Sequence, residues 1–295
     1  MAFGCGLVST MTVQQVLKRL EASGYEVELI GRSGGGATGF AFDVMTPGGR
    51  RVLKWQAAGS GVPFERVAIV LRSLQTLGSP VPAYEVLDVG IDLDASYQEL
   101  LPGQWADALS DSLVNELVDI NRLQTGAGER SEGQGWADLM CAITLEGADG
   151  WCRHESLEMH SDATRQLWAR ARALAAAVNS VAILDGDAVH MDFHHRNILQ
   201  DHGKLSGVID WEGVECGDRR FDLVTLAFYA GVAGWSESRR LSWIKELARE
   251  LGADAAALYL SHLAVRSVDW AIRHEAESDV QRWLIWSAQA LDAVT

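Results

Sequence analysis

The stretch VHMDFHHRNIL, Val189 to Leu199, gathers three histidines, an aspartate and an asparagine into eleven residues. Three kinds of chemistry compete for it. His190, His194 and His195 could ligate zinc, because histidines at i and i+4 share a helical face. The stretch has no helical pattern, however, and no cysteine or carboxylate stands at a zinc-site spacing from it. Alternatively, His190 is a core histidine and Asp192 a turn residue, which leaves the downstream spacing without an explanation. In the third reading Asp192 is a catalytic carboxylate and its neighbours position it.

The spacing favours the third. Asp192 precedes Asn197 by five positions, the offset found in the catalytic loop of protein kinases. Thirteen residues beyond Asn197, GVIDWEG places Asp210 at the end of a short apolar run. Phosphoryl transfer needs this set of groups. One carboxylate orients the attacking hydroxyl and accepts its proton, while an amide oxygen and a second carboxylate hold Mg²⁺ against the nucleotide phosphates. Upstream, a strand lysine should neutralise phosphate oxygens, with an acid on the next helix to pair with it. Lys54 in VLKW and Glu65 in PFERVAIVLRSL meet both demands. Ahead of them Gly34, Gly35 and Gly36, in GGGATG, can turn backbone amides toward phosphate. A tight hairpin would explain those glycines equally well; five parts in the required order carry more weight.

From Val189 to Phe228 the sequence resembles the aminoglycoside phosphotransferase and choline kinase superfamily, small-molecule kinases with a protein-kinase-like fold. The resemblance extends more weakly from about Gly31 to the C-terminal helices. It implies that Asp192 is the catalytic base, that Asn197 and Asp210 are the Mg²⁺ ligands, and that Lys54 binds phosphate with Glu65 as its partner. It also implies that YQELLPG is a hinge whose backbone, around Glu99 to Leu101, bonds the adenine of ATP, with GTP an alternative. His190 and Asp222 take the place of structural props. The chain departs from the family at His195 and Arg196, where a Pro-Gly pair is usual, and at GDRRFD, where an Asp-Pro turn is usual.

The elements that must position these groups fall into two blocks. Residues 12–101 read mostly as strands with one helix from Phe64 to Leu74, a small antiparallel nucleotide-binding lobe. A helix over TVQQVLKRLEASG precedes them, and residues 1–11 read as an extension or a start placed upstream. Residues 102–295 turn helical, with Leu109, Leu113, Leu117 and Ile120 on one face and Leu167, Ala171, Leu174 and Val178 on another. The catalytic stretch interrupts that pattern as a loop between short strands. The expected fold is thus α+β and two-lobed, protein-kinase-like, with a cleft between a β lobe and a larger helical lobe.

Composition excludes several classes. A net charge of −15 argues against nucleic acid, and no apolar run approaches a membrane span. Cys5, Cys141, Cys152 and Cys216 are scattered, as reduced thiols of a cytoplasmic protein would be. The same charge suits a cationic substrate. Between Leu101 and His160 eleven acids face three arginines and no lysine, and six acids face three arginines from Leu251 onward. Asp149, Glu155, Asp269 and Glu275 are the candidate acceptor carboxylates, with Trp151 and Trp270 as rings for a cation. Each acid taken singly reads equally as a solvated helix face. The expected activity is ATP-dependent O-phosphorylation of a small polycationic molecule, such as an aminoglycoside or similar basic antibiotic. The rivals are a metabolic kinase for choline, homoserine or a sugar, and a non-catalytic nucleotide-binding protein of the same fold.

Overall fold

In the computed structural model the described residues are 11–33, 41–59, 63–129, 135–148, 152–180 and 183–294. Gly34, Gly35, Gly36, Asp149 and Trp151 lie outside them.

Helix α1 (Val13–Ala22) begins at a capping box, in which Gln15 N–H donates to the Thr12 hydroxyl and Thr12 N–H donates to Gln15 Oε1 at 2.7 Å. Strands β1 (Glu28–Arg32), β2 (Ala41–Thr46), β3 (Gly49–Ala57), β4 (Tyr84–Leu87) and β5 (Leu93–Glu99) follow, with α2 (Phe64–Thr76) between β3 and β4. They form one antiparallel sheet in the order β1-β2-β3-β5-β4. Alternation along β3 sends Leu53 and Trp55 into a core with Val16, Leu20, Val44 and Ala95, so α1 covers that face. Lys54 therefore points to the other face, paired across the ladder with Ser96 and beside Gln98.

Helix α2 does not pack on the sheet alone. Val67, Val70, Leu71 and Leu74 share a core with Leu113, Leu117, Phe193, Ile198, Val208 and Trp211, which belong to the helical half of the chain. The crossing between the halves is tight. Gly103 has φ +108°, and a Cβ there would fall 2.6 Å from the Gln200 carbonyl, so only glycine fits.

Beyond it, β6 (Gln104–Trp105), β8 (Ile198–Asp201) and β9 (Lys204–Val208) make a three-stranded sheet, and β7 (Asp187–Val189) pairs with β10 (Glu215–Gly217). Helices α3 (Asp111–Leu123), α4 (Trp136–Glu146), α5 (His154–His160) and α6 (Asp162–Ala176) come before β7. After β10 come α7 (Arg220–Tyr229), α8 (Glu237–Leu251), α9 (Ala253–His274) and α10 (Glu277–Asp292). The long α9 is buried along most of its length and packs against α4, α5, α6, α7, α8 and α10. The result is the α+β, two-lobed arrangement of an antiparallel β lobe and a larger helical lobe. Among the described residues Cys141, Cys152 and Cys216 form no disulfide, and no helix is long and apolar enough to cross a membrane.

Candidate active site

The loop between β7 and β8 is held from beneath. Asp222, fully buried on α7, accepts from the amides of His190 at 2.8 Å and Met191 at 3.1 Å, and from Gln124 Nε2 at 2.8 Å. Burial pushes its carboxyl up to about 7 against those three donors. His190 is also fully buried, with Nε2 donating to Ile209 O at 2.8 Å and Nδ1 accepting from Asp192 N–H at 3.3 Å. Those partners fix the neutral Nε2–H tautomer, and burial lowers the ring's pKa. His190 is thus committed to the backbone. Among the described residues no three His, Cys, Asp or Glu side chains cluster to hold a metal, so the three histidines make no zinc site.

The loop presents Asp192 at the surface it faces. Its Oδ1 accepts from Arg266 at 2.8 Å and its Oδ2 lies 3.2 Å from His194 Nε2. Burial alone would raise this carboxyl's pKa; His194 and Arg266 outweigh it and hold the group well below the usual carboxylate range. In turn Asp192 raises the pKa of His194 against the effect of burial. Asn197, buried in a 3₁₀ turn, donates from Nδ2 to the Asp192 carbonyl at 2.9 Å. Its own carbonyl accepts from Ile209 N–H at 2.9 Å, which ties the turn to the residue before Asp210. Asp210 has φ +70° and ψ 52°, and Met191 has φ +72°. Left-handed backbone at non-glycine residues is strained and clusters at functional sites.

Lys54 reaches this site from the β lobe. Its Nζ lies 2.7 Å from Asp210 Oδ1 and 2.6 Å from Glu212 Oε2. Lys54 chiefly holds the Asp210 carboxyl low, whereas burial pushes Glu212 up. Gln98 on β5 donates to the other Glu212 oxygen. The expected Lys54–Glu65 pair is not formed. Glu65 is exposed in the first turn of α2 and makes no ion pair among the described residues. Next to it, Arg66 turns inward to Glu215 at 2.6 Å, and that rotation of α2 carries Glu65 outward. The lysine's acids come from the Asp-Trp-Glu segment instead.

Glu99 ends β5; its N–H donates to Ala83 O at 2.8 Å and its Oε2 accepts from Ala83 N–H at 3.1 Å. Leu101 packs so closely on Gly207 that a Cβ there would lie 2.6 Å from Leu101 Cδ1. This segment therefore crosses between the halves beside β9.

The acceptor carboxylates separate. Asp269 is fully buried, paired with Arg273 at 2.7 Å and accepting from Ser156 Oγ at 2.6 Å, so it is not open to substrate. Its place on the inner side of α9 decides this, which no local pattern reveals. Glu155 is exposed on α5, and Glu275 is exposed at the end of α9, where Oε2 accepts from Trp283 Nε1 at 3.2 Å. Trp270 already lies against the His274 ring, tilted by 40° with centroids 4.1 Å apart. Several other acids are also engaged: Asp111 with Arg239, Asp119 with Arg122, Asp279 with Arg282 and Asp292 with Arg170. One acid of the first cluster stands differently. Pairing of β6 with β8 sets Trp105 and Asp107 beside His195 and Arg196, around a pocket of about 390 Å³ that Val232 also lines. Burial, then His194 and Arg196, lowers the His195 pKa to about 4, so its ring is neutral there.

Sequence reasoning missed Glu212, Arg266 and the Asp107 pocket. Glu212 had a signal, two positions past Asp210. Arg266 had none, being 74 residues from Asp192.

For a metal, the groups at hand are oxygen donors, the Asn197 amide and the half-exposed Asp210 carboxylate. That set fits Mg²⁺ shared with substrate phosphates rather than a closed protein cage.

Hygromycin-B 4-O-kinase of Escherichia coli is 24% identical over 217 residues, 64% of this chain and 58% of that protein, so the chain spans less than two thirds of the relative. A thermostable mutant of aminoglycoside phosphotransferase APH(4)-Ia, solved as a ternary complex with ADP and hygromycin B, superposes with a TM-score of 0.67 and 16% identity. The match covers 96% of this chain and 99% of that one. Choline kinase LicA of Streptococcus pneumoniae gives 0.64 and 14%, over 95% and 99%. Both share the fold. The profile of the phosphotransferase enzyme family matches residues 31–261, most of the chain, and the chain belongs to that family.

Proposed function

We propose that this chain is an ATP-dependent O-phosphotransferase, with GTP as a possible donor, acting on a hydroxyl of a small cationic molecule. The observation that supports it most is the meeting of Lys54 from the β lobe with Asp210, next to the loop that carries Asp192 and Asn197. Lys54 would neutralise phosphate oxygens, and the segment from Glu99 to Leu101 would hold the adenine through its backbone. Asn197 and Asp210 would hold Mg²⁺, which supplies charge neutralisation on the phosphates when bound. Asp192 would orient the acceptor hydroxyl and take its proton. Little covalent chemistry is asked of the protein, so positioning and electrostatics carry the rate.

For the acceptor, Glu275 and Asp107 are exposed carboxylates, and Trp105 offers a ring beside Asp107. They support an ammonium-bearing substrate. Together with the hygromycin kinase relative they favour an aminoglycoside or similar basic antibiotic, whose phosphorylation would inactivate it. The choline kinase neighbour favours a second reading, a metabolic small-molecule kinase.

ATP and GTP consumption measured against multiply charged amines, choline and neutral polyols tests both readings, with Asp192→Asn as control. The variant should lose about 10²–10⁴ in kcat while nucleotide affinity stays within a few-fold. Near-native kcat in Asp192→Asn would remove Asp192 from the role of base. Turnover confined to neutral polyols would sink the cationic acceptor and leave the kinase.

A further inference from the structure

We propose that Arg266 is a positioning residue for phosphoryl transfer, a clamp from α9 that fixes the direction of the Asp192 carboxylate. This rests on the reading of Asp192 as the base. One Arg266 amine donates to the Met191 carbonyl at 2.8 Å and another to Asp192 Oδ1 at 2.8 Å. The same guanidinium therefore holds a strained backbone unit and the reactive side chain. Met191, at φ +72°, is secured from both sides: Asp222 takes its N–H at 3.1 Å and Arg266 takes its carbonyl. Without those two partners a left-handed methionine would relax and carry Asp192 with it.

The clamp also sets the plane of the carboxylate. With Oδ1 bound to Arg266, Oδ2 is the atom turned toward His194 at 3.2 Å and Asn197 Nδ2 at 3.4 Å. Turning the carboxylate out of this plane would break a charge-assisted bond, so one oxygen is kept on the Asn197 side, where phosphate and metal would meet the acceptor. The Arg266 side chain is 16% exposed on a helix packed against six others, so it brings the rigidity of the helical core to the loop. A permanent cation on a carboxylate weakens it as a base. For a reaction governed by positioning, direction matters more than proton affinity.

The test compares Arg266→Met, Arg266→Lys, Asp192→Ala and the Arg266→Met/Asp192→Ala double variant of the full chain. ATP with hygromycin B is one probe, and ATP hydrolysis by water is the other. Arg266→Met should lower kcat about 10²-fold with the ATP KM within about threefold, the cost of a misplaced reacting group. Arg266→Lys, which keeps charge and fold, should recover part of the loss because an ammonium lacks the planar fork. In the Asp192→Ala background the Arg266→Met change should cost less than about twofold, since the clamp acts only through Asp192. Equal losses in both backgrounds, or near-native kcat in Arg266→Met, would overturn the proposal.

Amide exchange decides the matter if neither probe is turned over. Exchange at Met191 and Asp192 should rise at least about tenfold in Arg266→Met while α9 stays protected, and unchanged exchange would overturn the clamp. Failure of the kinase reading looks different. It appears as absent nucleotide binding, or as native turnover in Asp192→Ala, while loop exchange still reports on Arg266.

Discussion

Replacing Lys54 by methionine should separate what the lysine does for folding from what it does for nucleotide. Its ammonium lies between two carboxylates, at 2.7 Å from Asp210 and 2.6 Å from Glu212. The Asp210 side chain is 51% exposed, so that pair is screened and contributes about 0–1 kcal/mol. Lys54 and Glu212 are 17% and 21% exposed, and a hydrogen bond between charged groups contributes about 1.5–3 kcal/mol there. Removing the lysine also leaves two acids facing one another. Burial already raises the Glu212 pKa, so uptake of a proton limits that repulsion. The net cost to Lys54→Met is about 2–3 kcal/mol, read from urea unfolding without nucleotide. The Lys54→Met/Glu212→Gln double variant should regain about 1 kcal/mol, because one of the stranded charges is gone. Nucleotide affinity, measured by calorimetry, should be weakened in both. Glu65→Gln should change neither stability nor nucleotide KM, since Glu65 is exposed and has no ion pair among the described residues. If the double variant is no more stable than Lys54→Met, the two acids do not compete for the lysine and the reasoning fails.

Three further perturbations follow from the packing of other acids. Asp269→Asn should destabilise the fold by about 2–4 kcal/mol, by stranding Arg273, without raising the KM of a cationic acceptor. By contrast Glu275→Gln should leave stability within about 0.5 kcal/mol and raise that KM several-fold at low salt; steady-state kinetics beside urea titration checks both. Glu215 sets a pH dependence. Burial raises its pKa from 4.5 to about 7 despite Arg66, so the folded state keeps a proton that the unfolded chain releases. Stability from the protonated form is full below pH 4.5 and is lost as pH rises toward 7. The melting curve of Glu215→Gln should therefore gain on the native chain across that window, by up to about 3 kcal/mol, and stay level above it. A gap that shrinks as pH rises would contradict the buried, proton-holding Glu215.

Much of the site is local in the chain and so was legible there. Asp192 and Asn197 belong to one short loop, Asp210 stands two residues past the end of β9, and hydrophobic periodicity places Lys54 on a strand. Spacing carries that information because the backbone fixes where such near neighbours stand. The left-handed conformation at Met191, by contrast, falls on a residue whose type gives no hint of it, and at Asp210 on a type that tolerates it without requiring it. Both exist because Asp222, Arg266 and Lys54 hold the backbone and side chains around them. Which acid pairs with Lys54 depended on the rotation of α2, which packing against the helical half decides by turning Arg66 inward and Glu65 outward. Asp269 and Glu275 sit six residues apart on one acidic stretch, yet burial commits the first to Arg273 and leaves the second at the surface. Arg266 meets Asp192 across 74 residues only because α9 runs beneath the loop. The sequence by itself determined which residue types the candidate site gathers and the order in which they occur. Tertiary packing alone decided which charges face each other, because the orientation of a side chain depends on what covers the opposite face of its helix or strand.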